Sequence, residues 1–157
     1  MPTYTKPVVE LITLDILSTL ATITKANGYY NDIGTIERHN RLGNVPADLK
    51  CIVFQEDPTE VQEPALMHKE WNQPYSLVVF VIEPDQSTRP VDMRINLIRA
   101  DIEMALVTGT SYTRGGYAID TVIHAPEMFD DAKGQLSGIV LHCEVHYRTT
   151  FDNPSAQ

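Results

Sequence analysis

Cysteine and tryptophan are scarce in this chain: 157 residues include two cysteines and one tryptophan. Cys51 and Cys143 lie far apart and form neither a C-x-x-C pair nor a disulfide framework. Both fall in apolar strand patterns, where free buried thiols are expected, as in a reducing compartment. No apolar run approaches the roughly 18 residues of a membrane helix, so no membrane partner is expected. The apolar pattern starting at Val8 is broken by Glu10 and Asp15, with no small-residue cleavage pattern behind it. No secretory signal is therefore expected. Positive charge is also in short supply. Twelve Lys and Arg face 21 Asp and Glu, a formal net charge of -9. Such a balance opposes attractive binding to a nucleic-acid backbone, yet it suits DNA passing nearby without sticking. The phosphate-binding and zinc-protease patterns G-x-G-x-x-G, G-x-x-x-x-G-K-[ST] and H-E-x-x-H are all missing. Gly109, Gly115 and Gly116 follow a helical pattern rather than joining a strand to a helix, so they build no phosphate cradle.

What the chain does contain is strong periodicity. In the stretch 136–149, Ile139, Leu141, Cys143, Val145 and Tyr147 alternate with Val140, His142, Glu144, His146 and Arg148. A period of two predicts a strand with one buried face. The run Leu77–Ile82 is continuously apolar and predicts a central strand, covered on both sides. Shorter strands are expected at about 34–39, 51–54 and 117–124. Spacings of three and four predict two helices. The first spans about 8–26, with a stripe of Val9, Ile12, Ile16, Leu20 and Ile23, Thr5 as a possible cap and Asn27-Gly28 at its end. The second spans about 91–107, with Ile95, Ile98, Ile102 and Ala105 inside and Thr108-Gly109 at its end.

The expected fold is α+β, a mixed and mainly antiparallel sheet of about five strands with the two helices packed on it. One domain, 1–157, accounts for the length. Residues 56–70, rich in Glu and Pro, read as a flexible surface loop, 126–133 as an acidic turn and 151–157 as a frayed tail.

Candidate chemistry is sparse. His142, Glu144 and His146 share one strand face and are the metal candidates, with His124 joining only if its strand pairs in the right register. A solvated or intersubunit face gives the same alternation and is the preferred reading, so no metal or cofactor is expected. Cys143 points away from those histidines, which argues against a Cys-His nucleophile. A Cys51–His39 pair is unspecific, and Glu83, Asp85 and Asp92 read as solvated turn carboxylates rather than an acid-base pair. Tyr29 and Tyr30 read as core or interface aromatics, and Arg38 and Arg148 as candidates for intersubunit ion pairs.

Several pieces resemble the tail terminator and minor tail proteins of long-tailed bacteriophages, which cap the tail tube. They are the opening helix running into Gly28-Tyr29-Tyr30-Asn31-Asp32-Ile33-Gly34 with Arg38 after it, and the strand Leu77–Ile82. To these are added the helix Arg94–Leu106, with Leu97, Ala100, Asp101, Ile102 and Leu106, and Val145-His146-Tyr147-Arg148-Thr149-Thr150 followed by Asp152 and Pro154. The resemblance implies a non-enzymatic structural protein of the virion tail, assembled in the host cytoplasm. It implies a homo-oligomeric ring, usually of six subunits, at the head-proximal end of the tube. Its partners would be other copies of itself, the major tail tube protein and the head–tail connector, with DNA passing through the channel. Assembly would stop because one ring face binds the tube and the other accepts no further tube ring. Another neck or minor tail ring component is the nearest alternative. A small metal-dependent enzyme with its site on the last strand, or a monomeric adaptor, are alternatives of other classes.

Overall fold

Residues 5–38, 50–61, 67–81, 89–130, 137–150 and 153–155 are described by the computed structural model. Two strands of fourteen residues form its centre. β4 (His68–Val81) and β7 (Ser137–Thr150) pair antiparallel along their whole length, from His68 opposite Thr150 to Val81 opposite Ser137. β2 (Lys50–Gln55) lies antiparallel on the other side of β4, and β1 (Thr35–Arg38) adds in parallel outside β2. β3 (Thr59–Glu60) forms a short ladder on β4. Beyond β7 run β5 (Asp120–Ile123) and β6 (Glu127–Asp130), each antiparallel to a different part of it. The sheet is thus mixed, mainly antiparallel and seven-stranded, in the order β1-β2-β4-β7-β5 with β3 and β6 off that path. With α1 (Val8–Leu20) and α2 (Val91–Val107) it makes the expected α+β fold.

One face of the sheet carries the core. Tyr75, Leu77 and Val79 of β4, Ile139, Leu141, Cys143 and Val145 of β7, and Cys51 and Val53 of β2 are buried there. They meet Val8, Ile12, Ile16 and Leu20 of α1 and Ile95, Ile98, Ile102, Ala105 and Leu106 of α2. Each fully buried Ile or Leu contributes about 1.5–3 kcal/mol of transfer free energy. The cysteines are free and buried, and burial pushes both thiols up to about 12. On α1 the buried stripe uses Val8, with Val9 half-buried, and turns Thr13 inward. The Thr13 hydroxyl is 2.9 Å from the Tyr75 hydroxyl, which keeps both polar groups satisfied beneath the sheet.

Both helices start directly after a proline, Pro7 and Pro90, with no side-chain cap. The carbonyl of Pro154 accepts the Val8 N–H at 3.0 Å, so the end of the chain serves the start of α1. Asn153 also bridges to Thr150. Residues 153–155 of the expected frayed tail are therefore held; the rest of it lies outside the described residues.

Three expectations need correction. The first helix ends at Leu20, not near 26. The chain turns at 21–22, forms a 3-10 turn at Lys25–Asn27 and closes on Gly28 at φ 90°. Ile23 continues the spacing only because the chain folds back, where its carbonyl accepts the Ile33 N–H at 3.2 Å. The stretch 56–70 is not one loop. It holds β3 and the first residues of β4, whose polar side chains hide a strand stabilised by pairing; 62–66 lie outside the described residues. The acidic turn expected at 126–133 contains β6. Phe129 of β6 crosses Gly138 of β7 and meets Phe80 of β4 edge-to-face, with ring centres 5.7 Å apart. A Cβ at Gly138 would strike the Val79 carbonyl oxygen and the Phe129 ring.

The segment after α2 conceals a buried arginine. Arg114, in a 3-10 turn (Ser111–Gly116), is fully buried at φ 49°. Its guanidinium donates to the carbonyls of Leu106 and Ser111, covering the C-terminal end of α2. Asp15 of α1 lies 3.4 Å from it. Burial pushes the Asp15 carboxyl up, an effect that Arg114 opposes.

Candidate functional site

Two features stand out against the packed core. The first is a clamped loop. Asp101 of α2 is fully buried and points at residues 30–31. Its Oδ1 accepts the Tyr30 N–H at 2.9 Å, and its Oδ2 accepts the Asn31 N–H at 2.9 Å and Asn31 Nδ2 at 2.8 Å. Asp32 Oδ1 accepts the Lys25 N–H at 2.8 Å, and the Tyr29 N–H reaches the Thr24 carbonyl at 3.3 Å. Every turn of this loop is thereby tied. The result is asymmetric: Tyr29 packs against the core, whereas Tyr30 stands 56% exposed. The Gly28–Gly34 segment and Asp101, distant in sequence, meet at one place.

The second feature is the sheet face away from the helices. Its β2 end is apolar, with Ile52, Phe54, Val78 and Phe80. The other end is polar, because the even-numbered residues of β7 point there as strand parity requires. His142 Nδ1 lies 3.0 Å from Ser76 Oγ, and its Nε2 lies 3.8 Å from Glu127. Ser76 in turn donates to Glu56. Glu144 sits between two imidazoles, 3.4 Å from His124 Nε2 and 3.9 Å from His146 Nε2. Asn72 Nδ2 donates to the same carboxylate at 2.9 Å. His124 joins this face because β5 pairs with β7 in the register that the sequence left open. Its N–H bonds to the His142 carbonyl at 2.9 Å. As the side chains stand, no group of three or more His, Cys, Asp or Glu among the described residues encloses a metal position.

Both candidate interface arginines have partners in their own chain. Arg38 donates to Glu10 Oε1 at 2.8 Å and to Gln55 Oε1 at 3.1 Å. That bond from Arg38 holds the Glu10 carboxyl below its usual range. Arg148 Nε donates to Glu70 Oε1 at 2.7 Å, its neighbour across the β4–β7 ladder. Cys143 faces the core, opposite the histidines. Asp92 is exposed at the start of α2. His39, Glu83 and Asp85 lie outside the described residues. Sequence reasoning missed Arg114, Asn72 and Ser76, since none of them belongs to a periodic pattern or motif.

No protein-family model matches the chain, and no significant match is found among curated proteins.

Proposed function

We propose that this protein is a ring-forming structural component of a long-tailed phage, acting as the terminator of the tail tube. The observation that carries the reading is the clamped loop. A fully buried carboxylate and a closed set of backbone bonds hold Tyr30 out in water. An exposed tyrosine on a rigid loop loses little conformational freedom when it is covered and buries a large area, which is the property of an interface anchor. The loop belongs to the same Gly28–Gly34 segment that carries the resemblance to tail terminators.

Two further features support assembly from copies of one chain. The helices lie on one face of the sheet, and among the described strands its edges are the short β1 and β3 on one side and β5 with β6 on the other. Joining unlike edges head to tail closes a ring and removes both edges. The acidic balance fits a channel that passes DNA without holding it. In this reading the ring stops tube growth by geometry: one face matches the tube, and the other accepts the head connector instead of another tube ring.

The test is negative-stain imaging of the purified protein, alone and mixed with the tail tube protein, with sizing by light scattering. Closed rings at tube ends, and tubes held at a fixed length, are expected. Tyr30→Ala should keep the fold and lose end capping. Tubes that grow unchecked and undecorated in the presence of the protein would sink the terminator reading.

A further inference from the structure

We propose that the outer face of α2 is a contact surface for a second copy of this chain, paired helix to helix about a two-fold axis. A helix that only covered a sheet would carry polar residues on its outer side. On α2 that side is apolar: Met93, Leu97, Ala100, Met104 and Val107 follow one another at spacings of four, three, four and three. At about 100° per residue they point within roughly 40° of one direction, away from the buried Ile95, Ile98 and Ile102. Met93 is 47% exposed, Met104 41% and Val107 36%; Ala100 is exposed and Leu97 is half-buried. Exposed apolar residues scattered singly mean little, but a line at this alternating spacing is the seam of a helix pair. The inner stripe already serves the core, so the seam is a second apolar face on the same helix.

What fits the seam is the seam itself. The small Ala100 stands between bulky residues, so the hollow of one copy takes the knob of the other. An antiparallel register that sets Leu97 against Ala100 of the partner subunit also sets Met93 against Met104 of the partner subunit. The flanks agree in charge. In that register Glu103 comes level with Asn96 of the partner subunit instead of a second glutamate, and Arg94 with the oppositely charged Asp101 of the partner subunit. Antiparallel helices also lay each N-terminal end beside the other C-terminal end, the favourable order for their dipoles. The rim is polar, with Arg99 bonded to Glu103 at 2.7 Å on one side and the clamped loop of Tyr30 on the other. The seam leaves roughly 300 Å² of apolar surface open, a patch of the size that marks an interaction site. Two such patches with their rims bury about 1,000–1,200 Å², the low end for a specific interface, so a Kd on the order of micromolar is expected. A two-fold contact closes after two copies and uses neither sheet edge, so it stands apart from ring closure.

Sedimentation of the full chain over about a hundredfold range of concentration tests this. The mass should rise reversibly from one chain to two. Ala100→Glu and Met104→Glu each place a charge in the seam and should weaken the pairing more than about a hundredfold. Met128→Glu, at a more exposed apolar residue of β6, should pair like the parent. Because the substituted side chains are exposed, unfolding curves of dilute samples should match the parent's. The register is read by cross-linking. Met93→Cys and Met104→Cys chains, mixed under mild oxidation, should join to each other and neither to itself; Cys51 and Cys143 are buried and stay out of the reaction. A chain that remains monomeric at every concentration, an assembly that Met104→Glu leaves unchanged, or a Met93→Cys chain that cross-links to itself overturns the proposal.

Discussion

Replacing Asp101 by Asn tests the clamp with almost no change in shape. The carboxylate accepts three N–H groups: one through Oδ1 and two through Oδ2. A carboxamide keeps one oxygen and turns the other position into a donor. In either orientation at least one of these partly buried N–H groups then faces an NH2 group. A buried donor left without a partner costs about 1–3 kcal/mol, and the surviving bonds lose the strengthening that a charged acceptor gives. A net loss of about 2–3 kcal/mol is expected, a large share of the roughly 5–15 kcal/mol that holds a typical domain. For a chain of this size that lowers the melting temperature by about 4–12 °C. Urea unfolding followed by the fluorescence of Trp71, the one tryptophan, measures it. Hydrogen exchange localises it: the Tyr30 and Asn31 amides should lose protection before the core strands do. A cycle with Asn31→Ala should show coupling of about 0.5–3 kcal/mol, since both substitutions break the bond to Asn31 Nδ2. A midpoint change equivalent to under about 0.5 kcal/mol, with both amides still protected, would refute the clamp.

Other perturbations follow from the same packing. Gly138→Ala drives a methyl group into the Val79 carbonyl and the Phe129 ring and should cost about 1–3 kcal/mol in urea unfolding; full stability would mean that β6 does not cross β7 there. Cys51 and Cys143 should resist a thiol reagent at neutral pH until the chain unfolds, because burial holds both thiols near 12; rapid labelling of either in native protein would contradict the core arrangement. The Glu10 carboxyl is held below its ordinary 4.5 by Arg38. Its contribution is present above that value and fades as pH falls through the lower folded value. Arg38→Ala should therefore lose slightly more stability at neutral pH than at strongly acidic pH. An equal loss at both would show that the pair contributes nothing through charge.

How far the sequence could be read depended on which force decided each element. The second helix was legible to the residue, 91–107, because Pro90 and Thr108-Gly109 bracket a single apolar stripe. The first was read too long because Ile23 kept the spacing after the backbone had left the helix. Periodicity reports burial, and a chain that doubles back can bury the next apolar residue without continuing the coil. β4 was half hidden for the opposite reason. Residues 68–73 are polar apart from Trp71, and they are strand because β7 supplies fourteen residues of partner edge. The length of β7 was itself readable, and a strand that long asks for an equally long neighbour. β6 gave no pattern, since its one packing anchor, Phe129, sits over the missing side chain of Gly138 on the helix-free face.

The polar face divides along the same line. Strand parity alone placed His142, Glu144 and His146 together and turned Cys143 away from them. It could not say whether His124 would reach them, because that depends on one register between two strands joined through no sequence signal. A slip of one residue would send His124 to the core side and bring Ile123 out. The observed register is enforced by the core instead: Thr121 must be buried, and its hydroxyl donates to the Tyr112 carbonyl at 2.6 Å. The surface cluster is thus fixed from beneath, by packing that the histidines themselves do not share. Thr121→Val keeps the shape and removes that bond, and so it should loosen β5 on β7. If the register is set as argued, the His124 amide, bonded to the His142 carbonyl, should lose hydrogen-exchange protection in this variant, and unchanged protection would refute it.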